Sequence, residues 1–132
     1  MSEAIHQEIS IAASPDRVLK ILTDGNMFSA ATGGAPAVIE PTEGGSFSCF
    51  GGMIHGRNIE IVPAQRLVQA WRVKTWDSGL FSIARFELRP EGSGTLIAFD
   101  HVAFPAAERD HLASGWHANY WDPIKKYLKQ PS

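Results

Sequence analysis

The chain has 132 residues, 44% of them hydrophobic, and a formal net charge of −2 at pH 7, which predicts a single globular domain spanning residues 1–132. Its twelve lysines and arginines are scattered apart from the run "KKYLK" near the C-terminus, so nucleic acid is not an expected partner. No apolar run approaches the ~20 residues of a membrane helix, and the N-terminal residues lack the pattern of an export signal, so we expect a cytoplasmic protein without a membrane partner.

The first elements are a strand and two short helices. Apolar and polar residues alternate through "IHQEISI" at 5–11, which is typical of a half-buried strand. In "SPDRVLKILTDG" Ser14 can cap a helix that Pro15 begins, and Gly25 is a stop signal. A second short helix is expected in "NMFSAATGG", ended by Gly33.

Six further strands are predicted between residue 36 and the last helix. The segments that join them are short and rich in glycine, proline, serine and aspartate, which is the chemistry of tight turns, so consecutive strands should be antiparallel. The predicted strands lie at 37–40, 44–50, 54–63, 66–76, 81–90 and 94–104. The lone cysteine, Cys49, falls on the second of these and is expected to be a small buried residue.

The last segment predicts one long helix from about Pro105 to Lys129. Pro123 lies inside it, and because proline has no N–H and crowds the carbonyl group of Asn119, the helix should bend there. One face carries residues at spacings of three and four: Leu112, Trp116, Asn119, Tyr120, Pro123, Ile124 and Tyr127. The predicted fold is therefore α+β, with a curved antiparallel sheet of six to seven strands wrapped on a long C-terminal helix.

Four segments carry a resemblance to a known family: "ISIAASPDRVLKILTD", "LVQAW", "GTLIAFDHVAFP" and "GWHANYWDPIKKYL". Together they resemble the bacterial homologues of the heat-shock-protein-90 ATPase activator, which belong to the START-like or SRPBCC superfamily with the helix-grip fold. The resemblance spans residues 5–129 and implies, as in many relatives, a space between sheet and helix that accepts an apolar molecule. Members often have a tryptophan where this chain has Leu19 and Phe28, so the near wall should be less bulky or differently filled.

Alternation along the strands and the helical stripe predict which side chains face that space. The set combines large aromatic rings with a few converging polar groups, which is the usual composition of a small-molecule pocket. A buried polar group without a partner costs roughly 1–3 kcal/mol, so these polar groups need a network, water or a ligand. The alternative is that the aromatic rings only fill a core. The candidate ligand-binding residues are Phe47, Asn58, Gln69, Trp71, Ala84, Phe86, Phe99, His101, Trp116, Asn119 and Tyr120.

The sequence gives only weak signals for catalysis or for metal and cofactor binding. We therefore predict no catalytic residues, no metal ion and no cofactor. His111 and His117 are six residues apart, about 240° around a helix, so they cannot share a metal ion. Ser82 or Ser114 beside His101 would resemble a nucleophile and its base, but no third group orients the histidine. His101 and Glu60 remain the acid and base candidates if the domain acts as a cyclase or aromatase.

Three functions follow from the residues and the resemblance. The first is the binding of a small hydrophobic or aromatic ligand by a carrier or sensor. The alternatives are a cyclase- or aromatase-like enzyme, which the superfamily includes, and an interaction protein that acts on the heat-shock chaperone. The oligomeric state stays open, and a homodimer is compatible with the sequence.

Overall fold

The structure is a computed structural model that describes residues 4–129 as a seven-stranded sheet with helices before and after it. At the N-terminal end, β1 (Ala4–Ile11) precedes α1 (Pro15–Thr23) and α2 (Gly25–Ala31). The C-terminal end has α3 (Arg109–Trp116), a π-helical turn (His117–Trp121) and α4 (Asp122–Lys129). Between them lie β2 (Val38–Ile39), β3 (Ser46–Cys49), β4 (Ile54–Val62), β5 (Arg66–Val73), β6 (Ser82–Glu91) and β7 (Gly94–Val102).

The sheet is antiparallel throughout, in the order β1-β7-β6-β5-β4-β3-β2. Every strand from β2 to β7 pairs with its neighbour in sequence, because the short turns between them allow no other partner. The predicted architecture, a curved antiparallel sheet gripping a C-terminal helix, is confirmed. None of the helices in the described range is long and apolar enough to cross a membrane.

Two side chains cap the N-termini of the helices that follow β1. The hydroxyl oxygen of Ser14 accepts the N–H of Arg17 at 3.4 Å, as the sequence predicts. Asp24 then ends α1, and its carboxylate caps α2 by accepting the N–H of Met27 at 3.0 Å. Gly25 therefore begins the second helix instead of ending the first, because a capping aspartate joins the two directly.

A β-bulge in β4 corrects one predicted orientation. Strict alternation places Asn58 and Glu60 on the same inner face, but the register shifts between them because Ile59 is an extra residue. Asn58 points inward and is fully buried. Glu60 instead lies on the outer face, where its carboxylate accepts a hydrogen bond from Arg66 Nε at 2.8 Å. Glu60 therefore does not face the space between sheet and helix, and it is paired with a nearby cation instead.

The C-terminal helix is distorted directly before Pro123. The N–H of Asp122 donates to the carbonyl oxygen of His117, five residues earlier, which closes the π-helical turn. A five-residue turn places Trp121 under Trp116, and the two rings stack with centroids 5.8 Å apart. The predicted stripe omits Trp121, which is fully buried, because regular α-helical spacing turns this residue away. Asn119, expected to face inward, is exposed.

The helix is held against the sheet by Gln7 of β1. The side-chain oxygen of Gln7 accepts the indole N–H of Trp121 at 2.7 Å, and its amide donates to the carbonyl oxygen of Ala113 at 3.0 Å. One inward-pointing glutamine thus ties both α3 and the π-helical turn to the edge strand.

Candidate functional site

A groove of about 560 Å³ lies between α3 and the end of the sheet formed by β4 and β5. Its floor consists of Trp71, Trp116 and Tyr120. The volume is within the ~300–1,000 Å³ range of small-molecule sites. We call this space the α3–β5 groove. Its remaining lining residues are Phe50, Met53, Ile54, Val73, Thr75, Glu108, His111, Leu112, Gly115 and Asn119.

The lining follows from two simple periodicities. Trp71, Val73 and Thr75 alternate along and just beyond β5, so all three point to the inner side of the sheet. On the helix the lining residues fall at spacings of three and four from Glu108 through Leu112 to Asn119. Gly115 has no side chain, so it leaves open space in the middle of that helical face.

One wall of the groove is Phe50, whose backbone is held in an unusual conformation. Its φ angle is 55°, in the left-handed region, and Gly51 and Gly52 follow with φ angles of 67° and 95°. Such a conformation costs a non-glycine residue roughly 1–2 kcal/mol. The ring is held by edge contacts to Phe28 and Tyr120, each with centroids 5.5 Å apart. Phe28 thus fills the near wall that lacks a tryptophan in this chain.

The aromatic floor is packed from below and carries one polar group. Trp116 lies 5.3 Å from Trp71 and 4.2 Å from Tyr120, measured between ring centroids. The indole N–H of Trp71 donates to the hydroxyl oxygen of Tyr120 at 3.4 Å. Burial, with Cys49 nearby, raises the pKa of Tyr120, so the phenol stays protonated. Among residues 4–129 no group accepts its hydroxyl proton in a hydrogen bond.

Deeper in the fold, between β6, β7 and the helix, aromatic rings fill the space. The ring of Phe99 has its centroid 4.3 Å from that of Trp116, 5.3 Å from Trp121 and 5.0 Å from Phe86. We call this region the packed interior. Four residues of the predicted site line the groove: Trp71, Trp116, Asn119 and Tyr120. The other predicted residues lie outside it, in or beside the packed interior: Phe47, Asn58, Gln69, Ala84, Phe86, Phe99 and His101.

His101 belongs to a closed chain of hydrogen bonds in this interior. The indole N–H of Trp116 donates to His101 Nδ1 at 3.1 Å, so the ring hydrogen must sit on Nε2, which lies 2.7 Å from the hydroxyl oxygen of Ser82. The Ser82 hydroxyl donates onward to the carbonyl oxygen of Trp71 at 2.9 Å. Burial lowers the pKa of His101 to about 3. The imidazole is therefore neutral and donates to the serine, which is opposite to what nucleophile activation requires.

Asn58 and Gln69 also satisfy each other without a ligand. The amide of Gln69 donates to the side-chain oxygen of Asn58 at 3.1 Å, and the Asn58 amide donates to the carbonyl oxygen of Glu40 at 2.9 Å. The backbone N–H of Asn58 donates to the carbonyl oxygen of Gly45 at 2.8 Å. These bonds fasten the 40–45 segment to the sheet, so the two amides hold structure together.

Other candidate sites in the described residues are less suited to binding a ligand or a metal ion. A larger depression of about 750 Å³ lies between α1, α2 and β2, but it is wide open and has no aromatic residue in its lining. Burial raises the pKa of the Cys49 thiol to about 12, so that thiol is unreactive at neutral pH. In the described part of the chain no three His, Cys, Asp or Glu residues come together as a metal site. The α3–β5 groove is therefore the best candidate.

The family follows from comparison with known proteins. Residues 12–129 match the family model described as activator of Hsp90 ATPase homolog 1-like protein. The chain belongs to this family. The human activator of 90 kDa heat shock protein ATPase homolog 1 is 28% identical over 113 residues, which is 86% of this chain and 33% of that protein. This member of the family thus spans about a third of the length of that curated relative.

Solved structures show the same fold. The crystal structure of an HSP90 activator from Plasmodium falciparum superposes with a TM-score of 0.87 at 24% identity, covering 99% of this chain and 98% of that one. The solution structure of the Aha1 dimer from Colwellia psychrerythraea gives a TM-score of 0.80 at 17% identity, covering 96% of each chain. The family and the helix-grip fold expected from the motifs are confirmed, whereas the bacterial origin and a homodimer of this chain stay predictions.

Several groove residues of this activator-family domain were not identified from the sequence. Phe50 and Met53 lie in a turn after β3, where alternation gives no orientation. Val73 and Thr75 continue the alternation that identifies Trp71, so that signal was available. Glu108, His111 and Gly115 continue the helical stripe toward the N-terminus of α3, but polar residues and glycine do not stand out as part of an apolar face.

Proposed function

We propose that this domain binds a small, flat apolar or aromatic molecule in the α3–β5 groove. The observation that carries the proposal is the groove of about 560 Å³ above a floor of Trp71, Trp116 and Tyr120. Large aromatic surfaces suit a planar apolar or aromatic ligand. The role is that of a carrier or sensor whose ligand sits between the helix and the end of the sheet.

The packed interior supports this location. Phe86 and Phe99 are at most 1% exposed, and the His101 hydrogen-bond chain has no open position for a ligand atom. A ligand placed there would have to displace packed rings, which costs several kcal/mol. In the groove the rings are already in place, so binding needs no rearrangement of the core.

The proposal is tested by titration with a neutral planar compound, 2-naphthylmethanol. In a ¹⁵N spectrum each tryptophan contributes one indole N–H signal, and we expect a saturable shift of the Trp71 signal. The Trp121 signal is an internal control, because Trp121 does not line the groove and its N–H is bonded to Gln7 at 2.7 Å. Thermal stability should rise with ligand concentration. Unsaturable shifts, or shifts confined to Trp121, would overturn the proposal.

A second function, stimulation of a heat-shock protein 90 ATPase, is favoured by the relatives. The human relative is named as an activator of that ATPase, and this domain corresponds to 33% of it. The test adds the purified domain to a purified heat-shock protein 90 and measures ATP hydrolysis. A saturable increase in rate supports the function; no increase and no binding at micromolar concentrations contradict it.

The enzyme alternative receives no comparable support. Its two acid–base candidates lie on opposite faces of the sheet, because His101 is buried on the inner face and Glu60 is paired with Arg66 on the outer face. One substrate cannot contact both groups. We therefore do not propose a cyclase or aromatase reaction that uses this pair.

A further inference from the structure

We propose that the α3–β5 groove selects aromatic molecules that carry a positively charged amine, in preference to neutral and anionic ones. This inference rests on the proposed function and specifies its ligand class. The groove is charged asymmetrically: its lining includes the carboxylate of Glu108 and, within residues 4–129, no lysine or arginine. A cationic ligand would therefore supply a charge that the protein itself does not.

Glu108 is unusual among the carboxylates of this protein because it is both half-buried and unpaired. On the outer face of the sheet Glu60 and Glu87 share Arg66, each at 2.8 Å. Asp100 is likewise bonded by Arg85 at 3.1 Å. Over the described range Glu108 has neither an ion pair nor a side-chain hydrogen bond, although it faces the groove. Its charge is thus free to attract a ligand cation.

The aromatic walls act in the same direction as this carboxylate. The face of an indole or phenyl ring carries negative potential and attracts cations within about 6 Å of its centre. Trp71, Trp116 and Phe50 all contribute to the lining. A flat ring with an ammonium group on a short arm could cover the floor and reach the rim near Glu108.

An anionic ligand meets the opposite conditions. It would approach an unpaired carboxylate and lose water without gaining a cationic partner, which is unfavourable for a buried charge. His111 also lines the groove, so the effect of the carboxylate is measured on a variant that changes Glu108 alone.

The experiment compares three naphthalene compounds of equal size by calorimetry at low salt: 2-naphthylmethylamine, 2-naphthylmethanol and 2-naphthoate. We expect the amine to bind roughly three- to tenfold more tightly than the alcohol, and the carboxylate to bind most weakly. The preference should shrink in high salt, because ions screen a charge at the rim.

Two variants locate the preference. Glu108→Gln keeps the shape of the side chain and should make the amine and the alcohol bind equally. Asp110→Asn is the matched control, because it removes a carboxylate charge only two residues from Glu108. The Asp110 side chain is 96% exposed and lies outside the lining. The control should keep the preference.

The outcomes distinguish this inference from the proposed function. If none of the three compounds binds saturably, both are overturned. If the alcohol binds and the amine binds no better, or if Glu108→Gln keeps the full preference, only the charge selectivity is overturned. A preference lost in Glu108→Gln and kept in Asp110→Asn supports it.

Discussion

The packed interior and the α3–β5 groove are two parts of one aromatic cluster that share Trp116. In the interior this ring stacks on Trp121 and touches Phe99. In the groove it lies under open space beside Trp71 and Tyr120. The comparison teaches that inward-facing aromatic residues do not by themselves make a cavity, because the same ring can close space on one side and border it on the other.

Two local features produce the difference. The π-helical turn brings Trp121 beneath Trp116 and adds one more large ring to the interior. Gly115, just before this π-helical turn, adds no side chain to the face of α3 that lines the groove. The space is therefore filled where the helix carries an extra tryptophan and left open where it carries a glycine.

The largest effect should come from removing a ring of the interior. Trp121→Ala should lower the free energy of unfolding by about 3–5 kcal/mol, because it leaves a large cavity and removes the donor to the side-chain oxygen of Gln7. Chemical denaturation measures the change. Phe81→Ala is the control, since that ring is 42% exposed and its loss should cost about 1 kcal/mol or less. Equal losses in both variants would mean that the interior is not tightly packed.

The buried histidine should make the interior sensitive to acid. Burial lowers the pKa of His101 to about 3, whereas an unfolded histidine titrates near 6.5. As pH falls through this window only the unfolded chain takes up the proton, so stability should fall by roughly 1.4 kcal/mol per pH unit. Denaturation from pH 6.5 to 4 should show a shallower slope for His101→Gln than for the wild type.

An exposed histidine supplies the control for this pH effect. Hydrogen bonds to Asp100 and Glu8 raise the pKa of His6, so its contribution is complete below pH 6.5 and is lost as pH rises further. His6→Gln should therefore keep the acid slope of the wild type. If His101→Gln also keeps that slope, the histidine is not neutral in the folded state.

A larger side chain in the packed interior should also destabilise the fold. Ala84 is fully buried and pairs across the sheet with Gln69 and His101. Ala84→Phe should cost about 1–3 kcal/mol because the interior has no room for a ring. An unchanged midpoint of denaturation would show that the interior contains the cavity expected from the sequence.

The smallest change in stability, with a large change in binding, is expected for Gly115→Leu. A Cβ atom at this position would have its nearest contact at 3.6 Å, an ordinary distance to the Asn119 amide, and leucine favours a helix more than glycine does. Stability should change by less than about 1 kcal/mol, whereas affinity for 2-naphthylmethanol should fall at least about tenfold. Ser114→Leu adds the same side chain outside the lining and should leave the affinity unaltered.

Much of the fold was predictable from the sequence because alternation and turn chemistry are local. Four residues of β6 and β7 predicted to face the helix side are all buried: Ala84, Phe86, Phe99 and His101. Four of the predicted site residues line the groove, and ligand binding by them stays a prediction: Trp71, Trp116, Asn119 and Tyr120. Glu60 and Trp121 depart from regular alternation and helical spacing, because a bulge and a π-helical turn each change a period by one residue.

By itself, the sequence determined the order of the elements and the antiparallel pairing, since both depend on neighbours along the chain. Only the tertiary structure decided which space stays open. That outcome depends on the stacking of Trp116 on Trp121, the left-handed backbone at Phe50 and the missing side chain at Gly115. These features come from distant segments, and the volume they leave is a small difference between large packed volumes, which no local pattern records.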